Sequence, residues 1–153
     1  MAIAMGLFDR GNDPRSDQNE KLAELTGRVE ALAHRLHRHA AMCRYPQMAK
    51  TVEELAVQQD RQLRSFKASL AERNLWPRPP APVAHEGSND WGRLSGDLNE
   101  LATIGDEMRR AAIRWEGIDR SVAAALDRAG DEDADYEAEL RKVALKCDPQ
   151  ALD

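Results

Sequence analysis

Between Met48 and Leu70 the chain reads MAKTVEELAVQQDRQLRSFKASL, and Met48, Val52, Leu55, Gln59, Gln62, Phe66 and Leu70 recur at steps of four and three. That spacing keeps one stripe of a helix turned toward its neighbours, which is the period of a bundle helix. Two of the stripe positions are glutamines. Gln59 and Gln62 are therefore expected to point inward, as an i, i+3 polar pair between helices.

The segment before it carries a second stripe of the same kind: Leu22, Leu25, Val29, Leu32, Leu36, His39 and Cys43. This helix is predicted to begin near Ser16 or Asp17, where Asp17 followed by Glu20 resembles a capping box. His39 stands where an apolar residue belongs, with His34 and His37 toward its flank. The plain reading is exposed or hydrogen-bonded helix histidines. The sharper one places His39 opposite Gln59 and Gln62 across the bundle. Tyr45-Pro46 separates the two helices, because the residue before proline is pushed out of the α region while proline suits a first turn. So short a connection predicts an antiparallel hairpin, with the second helix running to about Arg73.

Four of the seven prolines then fall between Trp76 and Pro82, within a strap predicted over residues 74–90. Roughly 16 extended residues at about 3 Å each can travel the whole of a helix of about 40 Å. The strap is therefore expected to be one long crossover between helices 2 and 3, with Trp76 and Trp91 pinning its ends. Beyond it, Leu94, Leu98 and Leu101 mark a helix from Trp91 to about Ala102. Gly105 is a weak point, and Asp106 restarts a helix through Met108, Ala112, Trp115, Val122 and Leu126. The spacing leaves open whether 91–129 is one kinked helix or two, with Gly117 a second kink. Gly130 is read as the end of helix 3. The acids at 131–133 open a shorter helix 4 with Tyr136, Leu140, Val143 and Cys147 on its seam.

A chain of 153 residues fits one domain, here an N-terminal arm over 1–15 followed by a bundle over 16–150. Alanine and leucine dominate and aromatics make up 5%, which suits close packing of helices. A net charge of -5 and no clustered basic face exclude the nucleic-acid backbone as a partner. No apolar run approaches a membrane span. Cys43 and Cys147 have no CxxC spacing, so reduced thiols in a cytoplasm are expected.

Four helices, a tight first hairpin and a long crossover resemble the ferritin-like superfamily, and more narrowly its small rubrerythrin-type bacterial members linked to stress responses. The stretches that carry the likeness are YPQMAKTVEELAVQQDRQL and LRKVALKCDPQ. The family pattern there is an apolar residue, Ala, two variable positions, Glu, two more, then His. Leu55-Ala56 leads to Gln59 and Gln62 in the ligand places, and Val143-Ala144 leads to Cys147 and Gln150. The resemblance also puts the helix 3 carboxylate at Glu116 and leaves His39 or His34 nearest the helix 1 position. All four helix 2 and helix 4 places depart from the ligand types. Two metal ions need about six anionic or imidazole ligands, so neutral amides imply a vestigial centre. In its place Gln59 and Gln62 are expected to join His39 or Glu116 in a buried polar network.

Two functions follow. The first is a non-catalytic bundle that works by self-association, as a dimer, or by binding another protein, since no nucleophile, phosphate loop or haem motif is present. The second is a metal-binding or redox protein holding iron, manganese or zinc at a nonstandard site of His39, Glu116 and Cys147, with His34, His37 and Asp119 near.

Overall fold

The computed structural model describes residues 14–83 and 85–149, and among them it is all-helical, with four helices and no strand. They are α1 (Pro14–Met42), α2 (Pro46–Ala71), α3 (Asp90–Trp115) and α4 (Arg120–Lys146). The arm expected over 1–15 lies outside the described residues up to residue 13, and Pro14 and Arg15 already belong to α1.

The apolar stripes build the core. Leu22, Val29, Leu32 and Leu36 of α1 meet Val52, Phe66 and Leu70 of α2, Leu94, Leu101, Ile104 and Met108 of α3, and Leu126 and Leu140 of α4. α1 packs beside α2 and α3, and α4 beside α3 and α2, which is the square of a four-helix bundle. No described helix is long and apolar enough to cross a membrane.

The boundary of the last two helices differs from the expectation. The chain breaks at 116–119, not at Gly130, and α3 runs without interruption through Gly105. Asp119 starts α4 by accepting the backbone N–H of Ser121 at 3.0 Å, with Arg120 as the first helical residue. Gly130 is an interior residue of α4, which at 27 residues is as long as its neighbours and not shorter. Packing explains why glycine sits there. A β-carbon added at Gly130 would stand 2.9 Å from Arg109 Cγ and 3.3 Å from the Gly105 carbonyl oxygen. The two glycines let α3 and α4 cross closely, and that contact outweighs the ~1 kcal/mol by which glycine disfavours a helix.

The described residues of 72–89 hold no helix, and Pro77, Pro79, Pro80 and Pro82 fall among them. At the start of this connection Arg73 lies over the Trp115 ring, 5.0 Å from its centroid, and meets Asp119 at 2.6 Å. Midway, the Arg78 N–H donates to the Ala23 carbonyl of α1 at 2.9 Å. At its end the Asp90 carboxylate accepts the Arg44 N–H at 3.0 Å, beside the α1–α2 turn. Trp91 packs on the core, whereas Trp76 is 77% exposed and does not pin its end of the segment. Leu75 takes that place against the core.

Candidate functional site

Two buried polar clusters join the α1–α2 hairpin to the α3–α4 hairpin. The first lies between α2 and α4. Gln59 and Gln62, a helical turn apart, each donate an amide hydrogen to the same oxygen, Asp133 Oδ1, at 2.9 Å. The Gln62 amide also reaches the Ala129 carbonyl at 3.4 Å and Glu132 at 3.3 Å. All three principal members are buried, and Gln59 Oε1, Gln62 Oε1 and Asp133 Oδ2 have no partner.

Burial pushes the Asp133 carboxyl up to about 7, opposed by the two glutamine amides, which favour its charged form. Near neutrality the group thus takes up and releases a proton inside the bundle.

The pair of metal ions that the ferritin-like resemblance implies does not fit this donor set. The amide hydrogens of both glutamines point at the carboxylate oxygen, along the directions that a cation would use. Among the described residues, no group of three or more His, Cys, Asp and Glu side chains is placed to hold a metal ion.

The second cluster lies between α1 and α3. His39 and Asp97 are 1% and 2% exposed and share a close hydrogen bond from Nδ1 to Oδ2. Arg35 Nε approaches the other Asp97 oxygen at 3.5 Å. His39 Nε2 faces Glu86 at 3.6 Å, too far for a hydrogen bond, and is itself buried without a partner. A cleft of about 490 Å³ opens here between α1, the end of the 72–89 connection and the first turns of α3.

The residues singled out from the sequence are thus distributed. Gln59 and Gln62 meet each other on Asp133, and His39 belongs to the other cluster, bonded to Asp97 through Nδ1 with Glu86 facing its Nε2. Glu116 is exposed at the C-terminal cap of α3. It stands 19 residues beyond Asp97, or ~28 Å along the helix, so it does not reach His39. Cys147 caps α4 and touches Met48, Sγ to Sδ, at 3.3 Å. His39, Glu116 and Cys147 therefore do not converge. His37 bridges Glu53 and Asp60 at 2.7 Å each, and the Asp60 bond is the main reason its pKa is raised. His34 is exposed. Asp119 is committed to the α4 cap and to Arg73, and the Ser121 hydroxyl does most to hold its carboxyl below the ordinary range.

Of the two acids that organise these clusters, Asp97 is absent from the sequence reading, and Asp133 enters it only as one of the acids expected to open helix 4. Each has a periodic signature. Asp97 falls three after Leu94 and four before Leu101, and Asp133 falls seven after Leu126 and seven before Leu140. Dividing the stripe of α4 at Gly130 hides the position of Asp133 within it.

Comparison with protein-family models, with curated proteins and with solved structures finds no match to this chain.

Proposed function

We propose that the chain is a ferritin-like bundle with one long proline-rich crossover, that it is non-catalytic, and that it works by associating with a second copy of itself. The observation that carries the non-catalytic half is the convergence of the Gln59 and Gln62 amides on Asp133. In the resemblance these two positions are metal ligands. Here they are spent on hydrogen bonds within the protein, and the network specifies how α2 and α4 align.

Self-association is supported by the apolar side chains at one end of the bundle. Met42, Tyr45 and Leu145 are each more than half exposed. The Cys147–Met48 contact brings the end of α4 beside the start of α2, so all three side chains lie at that end. Tyrosine and methionine are the residue types enriched in interface cores, and a two-fold dimer is the commonest closed assembly.

Sedimentation equilibrium, with elemental analysis of protein purified without chelators or a metal-affinity tag, tests both halves. The expected result is a dimer free of stoichiometric iron, manganese or zinc, which becomes monomeric in Tyr45→Glu. A monomer at every concentration overturns self-association. One or two equivalents of metal per chain overturn the non-catalytic reading.

A further inference from the structure

Four prolines set the shape of the 72–89 connection. Proline holds its own φ at about −65° and drives the residue before it out of the α region. Pro77, Pro79, Pro80 and Pro82 therefore hold residues 76–82 in or near polyproline II, a helix of about three residues per turn, and residues 75–83 contain no helix or turn. At that period, side chains three apart share a ridge. Trp76, Pro79 and Pro82 form one ridge, Pro77, Pro80 and Val83 a second, and Arg78 and Ala81 a third.

The third ridge is the one turned to the bundle. Arg78 gives its N–H to the Ala23 carbonyl of α1 at 2.9 Å, and its guanidinium reaches Glu20 and Glu24 at 3.3 and 3.2 Å. The other two ridges are left to solvent: Trp76 is 77% and Val83 51% exposed, and Pro79, Pro80 and Pro82 are exposed as well. Past Arg78 the segment stands off α1 across a space of about 410 Å³ bounded by Ala31 and His34, so it is open from the side too. Leu75 already anchors the start of the segment on the core, and the Trp76 indole adds nothing to that packing. A large aromatic side chain left in water gains by being covered, and tryptophan is among the residue types that dominate binding interfaces.

We infer that residues 76–83 are a docking ligand for a protein domain with an aromatic-lined polyproline groove. Such grooves receive PxxP segments. Pro77-Arg78-Pro79-Pro80 is one, and its first and last prolines share an outward ridge. Trp76 and Pro79 flank them on the adjoining ridge, so both rows that would enter a groove face away from α1. The segment is fastened at Leu75, Arg78 and Asp90, which sets its bound shape in advance and leaves little ordering entropy to be lost on docking. Trp76 lies beyond the C-terminal end of α2 and Tyr45 precedes its start, about 40 Å away along that helix, so the inference does not depend on whether copies of the chain associate.

Titrating isolated SH3 and WW domains into the isotope-labelled full chain, while following its amide and indole N–H groups by NMR, tests the assignment. At least one of the two domain types is expected to give saturable shifts centred on Trp76, Ala81 and Val83. Its affinity should fall about tenfold or more in Trp76→Ala and in Pro80→Ala, two exposed positions, and stay unchanged in Val57→Ser, an exposed apolar site on α2. Thermal melts establish that the three variants are folded. No saturable shift with either domain type, or equal affinity in the chain and in both strap variants, overturns the inference. So do shifts at Trp76 that follow the concentration of the chain alone and not that of the added domain, since a second copy would then be what covers it.

Discussion

Gly27 on α1 lies directly beneath the Arg78 carbonyl: a β-carbon at Gly27 would stand 1.7 Å from that oxygen. With the Arg78 N–H donated to Ala23, one turn earlier, this makes a seat for an extended segment on a helix. Gly27→Ala cannot be accommodated without moving backbone, so it should lift the segment and destabilise the protein by about 1–3 kcal/mol. Gly96→Ala, an equally helical glycine with open space above it, should instead stabilise by about 0.4–1 kcal/mol. Urea unfolding of the two variants side by side checks the contrast.

Asp133 makes stability depend on pH. Its folded value of about 7 lies above the unfolded value of 3.8, so the folded state binds the extra proton between them. The contribution is fully present below about pH 4, falls as pH rises, and is lost above about 7, a change of a few kcal/mol. Asp133→Asn should remove this contribution to the slope and leave the variant at least as stable as the parent at pH 8, because a neutral amide keeps an acceptor for Gln59 and Gln62 without burying a charge. Denaturation midpoints measured from pH 4 to 8 give the answer.

Removing Asp97 strands its partners. Asp97→Ala leaves buried His39 and the Arg35 guanidinium without their carboxylate, a change that costs about 3–5 kcal/mol when a buried pair loses one member. His37→Ala, which breaks only half-exposed pairs with Glu53 and Asp60, should cost about 1 kcal/mol or less. Thermal melts at pH 6 distinguish the two.

Burial pushes the Cys43 thiol up to about 11 and raises the Cys147 thiol as well. Both should alkylate more slowly with iodoacetamide at pH 8 than a free cysteine does, since the thiolate is the reactive form. The Cys43 rate should climb steeply only as pH approaches 11, which mass spectrometry of timed samples can follow.

The helices were legible in the sequence because period is a local property: the stripes of α1 and α2 each name their own buried face. The α3–α4 boundary shows in the sequence only as the kink at Gly117, because weighing glycine by its intrinsic preference makes Gly130 an equal candidate for the helix end. At Gly105 and Gly130 the deciding term is the neighbouring helix, which sequence spacing does not display. The same limit hid the partners of His39, Gln59 and Gln62. Their inward direction could be read from the stripe, but which acid each would meet depends on the relative shift of helices distant in the chain.

Both buried clusters span the two hairpins, His39 to Asp97 and the glutamines to Asp133, while each hairpin closes through a turn of only a few residues. The bonds to Asp97 and Asp133 exist in this alignment of the two hairpins, so a shift by one helical turn would leave both acids buried without them, at the cost of an unsatisfied buried polar group; the clusters thus select one register out of those that apolar stripes alone would allow.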